Sequence, residues 1–199
     1  MILVLATRNK EKAREIEAAL ALPSLTFRSL MDFPDLPEVI EDGTSFLENA
    51  LKKARTVSSS LNLPVLADDS GLEVDILKGA PGIRSARFSG PQATDQQNNE
   101  KLLTLLQGIP EDNRTARFVC VLVYYDPSGR WIQTEGTCQG RIALTSTGDQ
   151  GFGYDPVFYL PEFERTMAQL PLETKNRISH RAKALERMRP HLLSLLDQS

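Results

Sequence analysis

Hydrophobic positions along this chain form two patterns, continuous short runs and faces spaced at three or four residues. Continuous apolar runs bounded by turn residues predict buried strands. The run at 116–125 is apolar on both faces, as in a central strand covered on both sides. The turn sequence at 126–129 and the more polar segment after it predict a long hairpin. The predicted strands are 2–6, 25–30, 65–67, 116–125 and 131–138.

Spaced apolar residues predict four helices, which makes the chain an α/β protein. Ser45 and Glu48 have capping-box spacing before the second helix, and the third spans 94–106. Ser179 is a candidate cap for the last helix, which Pro190 is expected to bend or end. The four apolar faces are Ala13, Ile16, Ala19 and Leu20; Leu47, Leu51, Ala54 and Leu61; Leu102, Leu103, Leu105 and Leu106; and Ile178, Ala182, Leu185 and Met188.

Length and charge narrow the possible classes of protein. The 199 residues suit one domain over 1–199 with a sizeable core, and the net charge of −3 gives no basic field for nucleic acid. No apolar run is long enough for a signal or a membrane span, so we expect no membrane partner and a cytoplasmic protein. Cys120 and Cys138 lack metal-ligand spacing and are predicted to be small buried residues in a reducing compartment.

Two adjacent acids, Asp68 and Asp69, follow the apolar run at 65–67. We expect the strand to end on them and Gly71 to let the backbone turn, with 72–75 as a candidate for renewed extended chain. The carboxyl edge of a sheet is where open α/β folds carry their chemistry. Paired carboxylates are costly unless a cation shares them. The alternative is a polar turn in which Asp68 caps and Asp69 is solvated.

The polar turn after the first strand lies at the predicted N-terminus of the first helix, which starts at Glu11. Free backbone N–H groups and the helix dipole favour an anion there, and Lys12 adds a cation beside Thr7 and Asn9. The glycines of a Walker loop are missing, so this turn alone is a weak phosphate signal.

Other polar segments have two interpretations each. The acids of the loop 31–43 and the basic residues Lys52, Lys53 and Arg55 are solvated by default. The aromatic segment 152–158 is either a stacking face for a base or the aromatic edge of a core. His180 and Arg181 at a helix N-terminus oppose the dipole, which hints at an anion or acceptor nearby.

Six separated motifs then combine into a recognisable order. They are Leu5–Lys12, Phe46–Ala50 with Lys53, Ala67–Leu72, Gly79–Arg87, Gly151–Pro156 and Ile178–Arg181. Together they resemble the inosine triphosphate pyrophosphatase family over nearly the whole chain. Arg8 departs from the pattern, since the family usually has glycine there, and this bears on the shape of the first phosphate loop.

The resemblance implies an α/β fold with two lobes around a long, curved, mixed sheet and an active-site cleft between the lobes. It also implies a homodimer and a Mg²⁺-dependent hydrolysis of ITP, dITP and XTP to the monophosphate and pyrophosphate. Such an enzyme removes deaminated purines from the nucleotide pool.

The same resemblance assigns roles to residues. Asp69 is the implied general base, and Asp68 is the second carboxylate implied to be catalytic. Glu41 and Asp69 are the implied metal ligands, with Asp68 as a further metal-binding acid; hard oxygen ligands suit Mg²⁺. The implied phosphate contacts are Lys12, Lys53 and the loop from Thr7 to Lys12, and Ser70 is implied to contact substrate. The remaining implied substrate-binding residues are Thr7, Arg8, Asn9 and Lys10 in that loop and Phe152, Gly153, Tyr154, Asp155, Lys175, His180 and Arg181 around the base.

Two other functions compete with this one. A Maf-like nucleotide pyrophosphatase would share fold and reaction but prefer other bases, and the motifs at 152–155 and 179–181 disfavour it. A catalytically silent nucleotide-binding module is disfavoured by Glu41, Asp68 and Asp69, because carboxylates facing a triphosphate do not help a mere binder.

Overall fold

The computed structural model describes residues 1–197 as strands and helices that alternate along most of the chain. The strands are β1 Ile2–Leu5, β2 Thr26–Ser29, β3 Val65–Val74, β4 Thr115–Tyr125, β5 Trp131–Ile142, β6 Phe158–Leu160 and β7 Arg165–Thr166. The helices are α1 Lys10–Leu20, α2 Phe46–Leu61, α3 Asp95–Leu105, α4 Leu172–Ile178 and α5 His180–Leu196. None of the helices in this part of the chain is long and apolar enough to cross a membrane.

The seven strands form one mixed sheet in the order β2-β1-β3-β4-β5-β6-β7. Strand β1 runs parallel to β2 and β3, whereas β6 runs antiparallel to β5 and β7. Strands β4 and β5 are neighbours joined by a tight turn in which Gly129 N–H donates to Asp126 O. The predicted α/β class, mixed sheet and hairpin are therefore confirmed.

Strand β3 differs most from its prediction. It continues to Val74 instead of ending at Asp68, so both acids lie within the strand and Gly71 does not turn the chain. Its pairing with β1 ends at Leu66, whose carbonyl accepts the Ala6 N–H. Asp68 and Asp69 thus lie on the part of β3 that extends past the end of β1.

The helical faces are partly as predicted. In α2 the buried apolar residues are Phe46, Ala50, Ala54 and Val57. Of the predicted face only Ala54 is buried, and the three leucines of that face are half-buried. In α3, Leu105 is 49% exposed, because Leu102 and Leu106 one turn apart define the buried line. Helix α5 continues past Pro190 to Leu196, so the prediction that the proline could end it was wrong.

The described residues cluster into two compact units, each assembled from separate stretches of chain. The first unit contains Met1–Asp69, Cys120–Gly136 and the described residues from His180 onward; the second contains Ser70–Val119 and Thr137–Ser179. The first core gathers apolar residues of β1, α1 and α5 with Leu66, Cys120 and Leu122. The second gathers residues of α3, β4 and the 154–170 segment with Cys138 and Ile142 of β5. Both cysteines are buried, as predicted.

Candidate active site

Asp68 is the centre of an ionic network in the first unit. Its carboxylate is 2% exposed, and Oδ2 lies 3.0 Å from Lys12 Nζ and 3.3 Å from an Arg181 Nη atom. The other end of the Arg181 guanidinium donates to Glu15 on α1. Helices α1 and α5 therefore both reach this one carboxylate.

Lys53 connects the same network to the acidic loop before α2. Its Nζ donates to the main-chain oxygen of Asp68 at 2.8 Å and lies 2.6 Å from Glu41 Oε1. The Lys53 side chain is only 11% exposed, whereas Lys52 and Arg55 are exposed. The default of a solvated Lys53 was wrong, and the loop acid Glu41 is held against β3 through it. We call Lys12, Glu15, Glu41, Lys53, Asp68, Asp69 and Arg181 the Asp68 network.

Asp69 has a different partner from its neighbour. Its Oδ2 accepts a hydrogen bond of 2.9 Å from Asn49 Nδ2 on α2, and Asn49 Oδ1 accepts one of 2.8 Å from the Gly43 N–H. The Gly43 donor fixes the orientation of the amide, so the NH₂ group must face Asp69. A Cβ at position 43 would lie 2.7 Å from Asn49 Oδ1, which explains the glycine.

The two adjacent acids are electrostatically distinct. Burial favours the neutral form of Asp68, but Lys12, Arg181 and Lys53 outweigh it and hold its pKa well below the usual range. Burial raises the pKa of Asp69 to about 6; Asn49 and Lys53 lower it, and the carboxylates of Glu41 and Asp68 raise it. Asp68 is therefore a fixed anion, while Asp69 is an acid that titrates near neutral pH.

The predicted phosphate turn is built by Asn9, which caps α1. Its Oδ1 accepts the N–H groups of Glu11 and Lys12, and its own N–H donates to Thr7 Oγ1. Two of the helix N–H groups expected to be free are thus engaged by the cap. The Arg8 guanidinium donates to the Leu30 and Leu36 carbonyls at 3.2 and 2.6 Å and so contacts the segment that follows β2. Lys10 is exposed.

His180 and Arg181 begin α5 and are both buried, with 9% and 3% exposure. Burial and the Arg181 charge hold the pKa of His180 well below its ordinary value, so the imidazole is neutral. Gly136 on β5 lets this helix approach, because a Cβ there would lie 2.1 Å from His180 O. Arg181 contacts Asp68 and Glu15 in this structure, a placement that the sequence did not indicate.

In the second unit, Lys175 and Asp155 form a buried pair. Lys175 Nζ lies 2.8 Å from Asp155 Oδ2 and also donates to the Gln150 carbonyl at 3.1 Å. Gly151 has φ +92°, and a Cβ there would lie within 2.3 Å of both charged groups. We call Lys175 and Asp155 the Asp155 pair; the structure brings these two predicted residues together.

The rest of the predicted base segment divides into buried and half-buried residues. Tyr154 lies in the second core and donates its hydroxyl to Ser85 O at 2.9 Å, so its ring belongs to the core edge. Phe152 is half-buried, as is Ser70 in β3. Gly153 is bonded to α3 on both its N–H and its carbonyl. Substrate contact by these residues stays a prediction.

The sequence missed four polar residues that hold the site together: Glu15, Asn49, Asp95 and Asn99. For Asn49 a signal existed, since it lies three residues after Phe46 and next to Ala50 on a face that needed to be apolar. Assigning that face to leucines placed Asn49 outside it. The other three gave no distinguishing pattern.

Among residues 1–197, no three His, Cys, Asp or Glu side chains group tightly enough to hold a metal ion by themselves. Mg²⁺ commonly uses one or two carboxylates and completes its shell with water and phosphate. Glu41 and Asp69 supply hard oxygens, and the charge of Glu41 contributes to the raised pKa of Asp69. A cation near these two acids would offset that repulsion, so the donor set fits Mg²⁺.

Comparison with known proteins identifies the family. The profile of the Ham1 family matches residues 3–191. This chain belongs to the Ham1 family. A dITP/XTP pyrophosphatase of Desulforamulus reducens is 51% identical over 94% of this chain and 93% of its own length. One from Geobacter sulfurreducens is 52% identical over 96% of both chains. The predicted family is confirmed.

Solved structures of the Ham1 family have the same fold. The Ham1 protein of Staphylococcus aureus is 39% identical with a TM-score of 0.88, covering 98% of this chain and 99% of its own. A dITP/XTP pyrophosphatase of Mycobacterium abscessus is 41% identical with a TM-score of 0.77, covering 96% of this chain and all of its own.

Proposed function

We propose that this protein hydrolyses ITP, dITP and XTP between the α and β phosphates, giving the nucleoside monophosphate and pyrophosphate, with Mg²⁺ as cofactor. Nucleoside triphosphate pyrophosphatase activity is the one named for its relatives. The observation that carries the proposal is the convergence of Lys12, Lys53 and Arg181 on Asp68, beside Asp69 in the same strand.

Phosphate binding falls to the lysines of the Asp68 network. Lys12 and Lys53 come from α1 and α2, and both already contact Asp68. A triphosphate carries about four negative charges, so it needs several cations at once. Both lysines have flexible stems that allow the ammonium to move from Asp68 to a phosphate oxygen.

Glu41 and Asp69 would hold the Mg²⁺. When bound, this ion neutralises phosphate charge and makes the phosphorus easier to attack. Lys53 Nζ lies against Glu41 in this structure and supplies the positive charge there.

Asp69 is the proposed general base. The oxygen of a water molecule bonds to phosphorus, the bond between the α and β phosphates breaks, and Asp69 takes the proton of the water. With a pKa of about 6 in the metal-free protein, Asp69 is largely ionised at neutral pH, the form that can bind a cation and accept a proton. Asn49 holds the carboxylate in place through Oδ2.

Recognition of the base is assigned to Phe152, Asp155 and Lys175, with His180 and Arg181. Hypoxanthine and xanthine present an acceptor oxygen at position 6, where adenine presents an amino donor. A donor aimed at that position is satisfied by the oxygen and faces another donor with adenine, which costs binding energy. We further propose a cytoplasmic homodimer.

The test is release of pyrophosphate from dITP, ITP and XTP, with dATP and dGTP as references, in Mg²⁺ and in excess chelator. We expect hydrolysis of the deaminated nucleotides in Mg²⁺, none in chelator, and recovery on adding Mg²⁺ back. Full turnover in chelator would refute the metal, and equal rates on dATP would refute the selectivity. Light scattering after gel filtration tests the dimer.

A further inference from the structure

Helix α3 holds one residue of the aromatic segment by both of its main-chain polar groups. The Gly153 N–H donates to Asp95 Oδ2 at 2.7 Å, and the Gly153 carbonyl accepts from Asn99 Nδ2 at 2.9 Å. Asp95 and Asn99 are four residues apart, so their side chains lie on one face of α3. We call these two residues the α3 clamp.

The clamp acts on a residue that would otherwise be among the least restrained. Gly153 has φ +61°, and no atom lies within 4 Å of where a Cβ would be, so backbone conformation rather than crowding requires the glycine. Glycine has the widest conformational freedom of any residue. Two hydrogen bonds from one helix select a single conformation.

Phe152 directly precedes the glycine that the clamp holds. Tyr154, on the other side of Gly153, is anchored by its core ring and its bond to Ser85, and Asp155 by Lys175. Phe152 is half-buried and is flanked by Gly151 and Gly153, both with positive φ. The conformation of Gly153 therefore sets the direction of the main chain next to Phe152, and this is one of the restraints on its ring.

Helix α3 is well fixed for this task. Thr94 and Gln97 form a reciprocal capping box at its start, directly before Asp95. Asn98, next to Asn99, accepts from the Ser89 N–H and donates to Ala86 O. Within residues 1–197, the buried Oδ1 of Asn99 has no hydrogen-bond partner, so this amide is kept in place at a cost.

We propose that Asp95 and Asn99 are positioning residues for base recognition, which hold Gly153 so that Phe152 presents its ring to the purine. The inference rests on the proposed function, since it assumes that the 152–155 segment faces the base. Because α3 engages the N–H of Gly153 and one acceptor site of its carbonyl, the contribution that we infer for this residue is its conformation.

The test compares Asp95→Ala, Asp95→Asn and Gln96→Ala. Asp95 is exposed, so its removal leaves the core intact, and the amide oxygen of Asn can still accept the Gly153 N–H. Gln96, the matched control, is an exposed neighbour that bonds Glu100. The readouts are amide hydrogen exchange of the 148–156 segment, calorimetric binding of dIMP, and kcat/KM for dITP and dATP.

We expect Asp95→Ala to lose amide protection at 148–156 and to lower dIMP affinity and kcat/KM for dITP about tenfold, the value of about one hydrogen bond. The slow dATP reaction changes less than about twofold, because adenine gains nothing from the correct ring position. Asp95→Asn restores most of each loss, and Gln96→Ala matches the parent protein.

Three results would overturn the clamp. Unchanged amide protection at 148–156 in Asp95→Ala would show that the clamp does not restrain Gly153. Lost protection with normal dIMP affinity would show that the clamp has only a structural role. Equal losses on dITP and dATP would show an effect on the phosphate side. If the parent protein hydrolyses no triphosphate, the proposed function fails, whereas the exchange and dIMP measurements still decide the clamp.

Discussion

The Asp68 network and the Asp155 pair are both buried ionic clusters, but they are built differently. The network has four carboxylates and three cations, and Asp68 alone shares Lys12, Arg181 and Lys53. The Asp155 pair is one cation and one anion packed against a glycine. In a shared network a cation can turn towards an arriving anion while Asp68 keeps its other cations. In a closed pair the only cation is already used by the only anion. Under the proposed function, this suits the Asp68 network to binding phosphate and metal, and the Asp155 pair to fixing the shape of the loop that would recognise the base.

Lys175→Met should give the largest change, because it removes the ammonium 2.8 Å from Asp155, whose side chain is only 14% exposed. We expect a loss of about 3–5 kcal/mol in the free energy of unfolding, measured by denaturant titration. Lys12→Met should cost clearly less, since Asp68 keeps Arg181 and Lys53. The double variant Lys175→Met, Asp155→Leu should recover most of the loss. Equal losses for the two lysines would erase the distinction between network and pair.

Asp69→Asn tests the network as chemistry. It keeps the side-chain volume but removes the charge that binds metal and accepts a proton, so turnover of dITP should fall at least about a hundredfold. The thermal midpoint should hold or rise, because repulsion by Glu41 and Asp68 disappears. Near-normal turnover would remove Asp69 from catalysis, and a collapsed midpoint would make it a structural residue.

The smallest effect concerns His180. Its pKa is lowered by burial first and then by Arg181, with Lys12 and Lys183 acting in the same direction and Asp68 against them. The unfolded chain therefore binds the extra proton, and this contribution to stability falls as pH drops below about 6.5, by at most about 1.4 kcal/mol per pH unit. Asp69 has a raised pKa, so its contribution to the free energy of unfolding has the opposite sign: it increases as the pH falls from about 6 to about 4.

The difference between the parent protein and His180→Gln isolates the histidine. Urea unfolding at pH 5.5, 6.5 and 7.5 should show a flatter acid side for the variant. Identical profiles would mean that His180 is as easily protonated in the folded protein as in the unfolded chain.

Short strands and strongly periodic helices were predictable because each is encoded locally. The continuation of β3 was not, since Asp, Ser and Gly are poor strand formers and pairing with neighbouring strands overrides them. The buried face of α2 is made by Phe46 and small residues, which periodicity of leucines does not reveal. The acids and lysines were found by motif. Asn49 was hidden because the buried face of α2 was assigned to leucines, and Asn99 is a single polar residue in a helix, which carries no local signature.

The register of β3 decides which acid meets which partner. Successive strand residues face opposite sides of a sheet, and Asp68 meets Lys12 while Asp69 meets Asn49. Two residue pairs, Val4 with Val65 and Leu5 with Leu66, set β3 against β1. A slip of one residue would put Ala67 in the place of Asp68 or Ser70 in the place of Asp69, so one of the two positions would lose its carboxylate without any change of sequence. The pairing of two residues with β1 therefore decides whether the strand presents both a fixed anion and a titrating acid.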